Sequence, residues 1–367
     1  MLLLSLTATL ALLIWLYLVF LHGCFWRSTP ELAPRRPRES PPVDIIVPAR
    51  DEAETIAAVI ASLLAQAYEG EARIVLIDDN STDGTAERAG CAPGLEVIMG
   101  QPKPPGWSGK LWALAQGIAA SRAPLLLLTD ADIVHEPAHL STLVARLEEG
   151  DADLVSEMVA LRCTSLAERA LVPAFVYFFQ MLYPFARVND RGSRLAAGAG
   201  GTMLIRRSAL ERIGGMEAIR GALIDDVALA RAVKRGGAVY LGHSGLARSV
   251  RPYPQFRDLW RMIARTAFTQ LDYSVLLLVV TILGLLLIWW VPVLALVLGT
   301  GWVRGAGLIS VLLAALSYQP TLRRYHCSPL WALALPLIAL FYLAATLGSA
   351  IDHWRGHGAR WKSRAYG

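Results

Sequence analysis

Four long runs of uncharged, mostly apolar residues frame this chain, and a stretch of ordinary charge density separates the first from the other three. That layout fits a globular domain held at a membrane and excludes a plain soluble enzyme. Residues 1–21 carry no charge and lead into a Pro-rich linker holding Arg27, Arg35, Arg36 and Arg38. This reads as an uncleaved anchor (1–22) and a linker (23–42) whose basic flank faces the cytoplasm. The later runs are 274–303, 305–322 and 327–351, about three spans within 274–351, followed by a basic tail, 352–367. Composition agrees: 54% of the 367 residues are hydrophobic and only 18% are charged. The excess of 35 Lys and Arg over 30 Asp and Glu is too mild for a nucleic-acid partner and reads as loop charge flanking spans.

Three spans after a cytoplasmic domain would place the tail, with Arg355, Arg360, Lys362 and Arg364, on the far side, against the positive-inside bias. One resolution is a re-entrant hairpin at 274–303, interrupted by Pro292. A shorter apolar stretch, 171–186, is bordered by Arg169 and Arg187 and reads either as a helix in the membrane interface or as a buried core helix. Cys24, Cys91, Cys163 and Cys327 are far apart and form neither a close pair nor a metal cluster in sequence, so free thiols are expected.

Residues 43–273 alternate short apolar runs with amphipathic helical patterns, the signature of an α/β domain with a mostly parallel sheet. Its first strand ends in Pro48-Ala49-Arg50-Asp51-Glu52, where nucleotide pockets form, without the glycine fingerprint of a dinucleotide fold. A second strand delivers Asp78-Asp79-Asn80-Ser81-Thr82-Asp83-Gly84-Thr85 to the same edge. Asp79 there can accept hydrogen bonds from a base or a ribose, while Ser81 and Asp83 are equally well explained as helix caps. A third apolar strand stops at Thr129-Asp130-Ala131-Asp132. Residues i and i+2 of an extended chain share a face, so Asp130 and Asp132 would repel unless a divalent cation, Mg²⁺ or Mn²⁺, relieved them and bridged to a diphosphate.

Downstream come a glycine-rich stretch, with Gly198, Gly200 and Gly201, and then Asp225-Asp226 opening a helix. One of these carboxylates is explained by the helix dipole. The other, pushed up by its neighbour and by burial, suits a general base, with Asp226 chosen and Asp225 as alternate. Lys110 is either a phosphate contact or a solvated lysine at a helix start, since Leu111 breaks the phosphate-loop pattern. His135 and His139, with Pro137 between them, read as structural.

Taken in order, Pro48 to Glu52, Asp78 to Thr85, Asp130-Ala131-Asp132 and Asp225-Asp226 resemble the family 2 glycosyltransferases of the GT-A fold. The flanking apolar runs and the closing Trp361-Lys362-Ser363-Arg364 are most similar to the hopanoid-associated and ceramide glucosyltransferase-like members. The resemblance implies a GT-A domain plus transmembrane helices in the cytoplasmic membrane, with the catalytic domain on the cytoplasmic side. It further implies that Glu52 and Asp79 hold the nucleoside of a sugar nucleotide, a UDP-sugar by this likeness. Asp132 would bind the metal with Asp130 beside it, and Asp226 would deprotonate the acceptor. Where relatives carry Gln or Arg and a later Arg-Trp, this chain has Met262 and Thr266, so only Arg265 carries over, as a diphosphate contact. A single transfer to a membrane lipid is therefore expected rather than polymer synthesis. The rivals are a polyprenyl-phosphate sugar transferase and a non-catalytic scaffold of the same fold.

Overall fold

The computed structural model describes residues 1–356 and the backbone of residues 360–361 and 364–365. Most of the basic tail and of the 361–364 motif thus lies outside the described side chains. The chain forms two compact units. One is built mainly of Pro30–Arg162 and Arg187–Pro252; the other gathers Met1–Thr29, Cys163–Ala186 and Tyr253–Ala359.

The first unit is built on a nine-stranded sheet: β1 (Glu31–Leu32), β2 (Val43–Ala49), β3 (Ala72–Asp78), β4 (Leu95–Met99), β5 (Leu125–Thr129), β6 (Ile133–His135), β7 (Leu154–Ala160), β8 (Thr202–Arg206) and β9 (Val239–Ser249). Its order is β1-β9-β7-β8-β5-β2-β3-β4, with β6 paired on β9. Strands β5, β2, β3 and β4 are parallel, and β8 runs antiparallel between β5 and β7. The near-continuous apolar runs of β2 and β5 are buried along their whole length, as strands covered on both faces must be. From β2 the chain builds outward to β3 and β4, then returns to place β5 on the other side of β2. This reversal is a topological switch point, and it leaves a crevice at the carboxyl ends of β2 and β5.

One buried carboxylate holds the opposite end of these strands. Asp44 on β2 lies beside Arg73 on β3 and accepts from two of its three guanidinium nitrogens, Nε at 2.9 Å and Nη2 at 3.2 Å. It also accepts from Ser121 Oγ and from the N–H groups of Arg122 and Ala123. Burial alone would raise its pKa, but Arg73, Ser121 and the two N–H groups outweigh it and hold the carboxyl well below the usual range. Its contribution to stability is therefore complete above about pH 4 and lost as the pH falls below that. Asp44→Asn is expected to cost about 3 kcal/mol at pH 7. Thermal melting should show the loss at pH 7 and show it shrinking in acid.

His135 and His139 are buried and join through their Nδ1 atoms at 3.1 Å; Nε2 of His139 meets Glu157, and Nε2 of His135 meets Thr129 Oγ1 at 3.1 Å. They hold β5, β6 and β7 together, in keeping with a structural reading.

Among the described residues, the second unit contains four helices long and apolar enough to cross a membrane: Leu2–Leu21, Val275–Leu298, Gly301–Arg324 and Pro329–Trp354. The segment carrying Pro292 does not fold back as a hairpin. It continues as one helix: a π-turn at Leu286–Trp290 precedes the proline, and Ile288 O, the carbonyl four residues before it, accepts from Trp15 Nε1 at 2.8 Å instead of from a backbone N–H. Two stretches within 43–273, the range read above as the globular domain, belong to this second unit. Residues 163–186 and those from 253 onward pack with the apolar helices. The helix Leu166–Leu182 opens on a capping box of Ser165 and Glu168 and buries Leu171, Val172, Ala174, Val176 and Tyr177. Tyr177 Oη bonds Ser317 Oγ at 2.7 Å and Gln180 donates to Phe25 O, so much of this helix is covered by protein. Cys163 and Cys327 meet with sulfurs 3.7 Å apart, as free thiols, a proximity that their sequence separation hid.

Candidate active site

The loops leaving β2 and β3 are interlocked by polar bonds. Asp51 N–H donates to Ser81 Oγ, Glu52 N–H to Thr85 Oγ1, Ala53 N–H to Asp83 Oδ2, and Thr82 N–H to Asp51 Oδ1. Asp51 and Asn80 take positive φ values of 49° and 56°, the sharp turns that let the two loops meet. Ser81 and Asp83 thus tie loop to loop, and Asp83 also accepts from Thr85 N–H at the next helix start. Asp79, 1% exposed, lies under Arg50, whose Nη1 is 2.5 Å from the Asp79 carbonyl and 3.5 Å from its carboxylate. Pro48, two residues before Arg50, lines a cleft with Lys110, Asp130, Asp225 and Asp226.

At the end of β5 the chain turns through Asp130, Ala131 and Asp132. Thr55 Oγ1 donates to Ala131 O and lies 3.3 Å from Glu52 Oε2, which ties this turn to the β2 loop. Glu52 and Asp132 are both buried, and both bind Arg251: Nη2 to Glu52 at 2.5 Å and Nε to Asp132 at 2.8 Å. Arg251 follows β9, which runs parallel to β7 and hence in the direction of β5, so it emerges at the same edge. Sequence reasoning missed it: its partners are 199 and 119 residues away, and only the sheet order brings them together. Arg251→Met removes a guanidinium shared by two buried carboxylates and is expected to cost about 3 kcal/mol at pH 7. Arg251→Lys, which cannot serve two partners as a planar fork, should recover only part of that loss in denaturant unfolding.

Lys110 sits at the start of the helix Gly109–Ala119, which Ser108 caps through its side chain. Its Nζ lies 2.8 Å from Asp130 and 3.1 Å from Asp225. It is not a solvated lysine: its side chain is 17% exposed. Burial opposes its charge, but Asp130 and Asp225 more than compensate and keep it protonated. Asp225 and Asp226 open the helix Asp225–Lys234. Asp226 accepts from Gly200 N–H at 2.8 Å and from Val227 N–H at 2.7 Å. Burial first, then the charge of Asp225, raise its pKa to about 7, against the lowering by Lys110 and those two N–H groups. A Cβ at Gly200 would stand 3.2 Å from Asp226 Oδ2 and 3.5 Å from Lys110 Nζ.

One cleft therefore joins Lys110, Asp130, Gly200, Asp225 and Asp226, and the Asp130 turn links it to Asp132, Arg251 and Glu52. Asp79 and Arg50 lie on the adjoining loops. Arg265 belongs to the other unit, at the C-cap of the helix Phe256–Ala264. No group of three His, Cys, Asp or Glu among the described residues is placed to hold a metal alone. Asp130 and Asp132 offer two hard oxygen donors, and the Asp130 carboxyl, raised by burial and by Asp132 against the pull of Lys110, gains from an added cation. Such a pair fits an ion that takes its remaining ligands from water and a bound anion, as Mg²⁺ commonly does.

Residues 44–214 match the model of the family described as Glycosyl transferase family 2. The chain contains a family 2 glycosyltransferase domain. An uncharacterized glycosyltransferase of Mycobacterium tuberculosis is 35% identical over 114 residues, 31% of this chain and 47% of that protein. Glucosyl-3-phosphoglycerate synthase of Mycolicibacterium paratuberculosis is 33% identical over 113 residues, 30% of this chain and 34% of that protein. The matches thus span half or less of these relatives. Among solved structures, mannosyltransferase PcManGT from Pyrobaculum calidifontis, in complex with GDP-Man and Mn²⁺, aligns with a TM-score of 0.58 at 19% identity, covering 95% of this chain and 99% of that one. This likeness supports the GT-A-like fold. The matched stretch of the glycosyltransferase domain holds Glu52, Asp79, Lys110, Asp130, Asp132 and Gly200, whereas Asp225, Asp226 and Arg251 lie beyond it and join the cleft through the fold.

Proposed function

We propose that this glycosyltransferase moves a single sugar from a nucleotide-sugar donor to the hydroxyl of a membrane lipid, at the cytoplasmic face of the membrane. The observation that carries the chemistry is the place of Asp226, buried beside Asp225 in the same cleft as Asp130, where burial and the neighbouring carboxylate push it up to about 7. At neutral pH such a group both exists in its basic form and holds a proton once taken, as a general base must. In the proposed step Asp226 removes the acceptor's hydroxyl proton. The oxygen attacks the anomeric carbon, and the bond from that carbon to the diphosphate breaks with inversion, releasing a nucleoside diphosphate. Asp225 is the alternate base.

Arg50, Glu52 and Asp79 would receive the nucleoside, with Pro48 near them in the chain, and Lys110 would contact the diphosphate; for Arg265 a diphosphate contact rests on the sequence resemblance alone. Asp130 and Asp132 would hold Mg²⁺ or Mn²⁺, which when bound neutralises charge on the leaving diphosphate. Support for a nucleotide sugar with a divalent cation comes from PcManGT, solved with GDP-Man and Mn²⁺. Support for a lipid acceptor comes from the four helices long and apolar enough to cross a membrane. A hopanoid- or ceramide-like lipid is the acceptor class, and a UDP-sugar the donor, that the sequence resemblance favours. The test is incubation of purified protein with labelled UDP- and GDP-sugars, Mn²⁺ and total membrane lipid, followed by mass analysis. One labelled lipid carrying one added sugar is expected; a polymer, or no lipid product with any donor, contradicts the proposal.

A further inference from the structure

The helices Val275–Leu298 and Gly301–Arg324 have 24 residues each and are joined by a tight turn at Gly299 and Thr300. They form an antiparallel hairpin at close backbone range. A Cβ on Gly307 would lie 2.6 Å from Leu296 N and 2.7 Å from Pro292 O, so only glycine permits the approach. Equal lengths of about 36 Å put Val275 and Arg324 at one end and the turn at the other. The first helix fits the same frame. Its Ala8 and Leu12 pack with Ala295, Val303 and Ala306 near the turn. Trp15 Nε1 donates to Ile288 O midway, and Ser28 meets Thr321 at the far end.

The fourth apolar segment breaks the pattern. It starts beside the end of the preceding helix, where Gln319 Nε2 reaches Pro329 O. A crossing of 26 residues, more than 35 Å of helix, would carry Trp354 to the turn end. Instead His353 stacks on Tyr273 with ring centroids 4.4 Å apart, and Trp354 and Ser349 contact Phe268. Tyr273 is two residues before Val275, at the opposite end from the turn. Between these ends, Tyr342 packs on Phe178, which also meets Trp289, so the middle of the segment dips among the helices. Leu330, Leu333, Leu337 and Leu340 remain exposed at helical spacing along its first half.

We propose that Pro329–Trp354 does not cross the bilayer. It enters and leaves at the face where the first helix ends, laying the Leu330 to Leu340 stripe against the acyl chains of that leaflet, and the chain crosses three times. Charge agrees: Arg27, Arg323, Arg324 and Arg355 gather at this end and Arg304 near the turn, so the positive-inside bias places this end in the cytoplasm.

The test uses the full chain in a background with Cys24, Cys91, Cys163 and Cys327 replaced by Ser, carrying one new cysteine at a time. Sealed inside-out and right-side-out vesicles are treated with a membrane-impermeant maleimide, with detergent-opened vesicles reporting total reactivity. Arg355→Cys should label in the same orientation as Arg27→Cys, and Thr300→Cys in the other. Labelling of Arg355→Cys together with Thr300→Cys, or of all three from one side, overturns the proposal. A second measurement needs no vesicle orientation: Tyr273→Cys with His353→Cys should cross-link under mild oxidation in membranes and yield a linked peptide by mass spectrometry. Complete absence of that peptide, with both thiols reactive to a permeant maleimide, overturns it as well.

Discussion

Asp226→Asn is expected to lower the transfer rate by a factor of about 10² to 10⁴ while leaving a folded protein. The substitution keeps the shape and removes the basic oxygen. Of its two backbone donors, the N–H groups of Gly200 and Val227, an amide can accept from only one through its oxygen, so a local loss opposes the gain from deleting a buried charge. The sign of that gain follows from the pKa. A carboxyl raised from its ordinary value to about 7 binds its proton more tightly in the folded state, so its contribution is full at low pH and is lost as the pH rises through 7. The stability of Asp226→Asn relative to wild type should therefore improve from pH 5 to pH 8, as thermal melting can read. Wild-type activity should rise with pH and level off above about 7, and the residual rate of the variant should not follow that curve. Transfer that survives in Asp226→Asn but fails in Asp132→Asn would point to an acceptor phosphate, which needs no base.

The second large effect is expected at Asp132. Asp132→Asn should lower transfer at least about a hundredfold at saturating Mn²⁺, a loss of roughly 3 kcal/mol from the barrier-lowering terms. The fold should hold, because Arg251 keeps Glu52 and an amide oxygen at position 132 still accepts from its Nε. Chelation should abolish wild-type transfer, and Mn²⁺ should restore it. A variant that recovers wild-type rate with added Mn²⁺ contradicts the assigned role, and so does a chelated wild type that retains full rate.

These effects bear on residues of unequal legibility in the sequence. The carboxylates at the ends of β2, β3 and β5 stood out because each ends a buried apolar strand, and parallel strands deliver their carboxyl ends to one edge. Asp225 and Asp226 were visible as a pair at a helix start, but their partners were not. The Gly200 N–H that binds Asp226 lies across a loop, and the Lys110 that joins Asp130 to Asp225 comes from a different helix. Arg251 had no local mark at all, since its place depends on β9 running alongside β7. Asp44 was equally silent: a carboxylate inside an apolar strand reads as a lapse in the pattern until Arg73 is found beside it on β3. In the apolar unit, length and hydropathy found the helices but not their paths. Pro292 looked like a break because Trp15, which supplies the freed Ile288 carbonyl with a donor, is 273 residues away from it in the chain, and residues 171–186 carried no sign of the helices that bury them.

In the proposed reaction Asp130 and Asp132 share a divalent cation with a donor diphosphate in reach of Asp226. Crystals of the protein grown with Mn²⁺ and a nucleoside diphosphate can be measured at the manganese absorption edge. One anomalous peak is expected against the carboxylates of Asp130 and Asp132 and next to the diphosphate, with Lys110 drawn from Asp130 towards phosphate. A nucleotide bound in the cleft with no peak there, or with manganese held elsewhere, would contradict it.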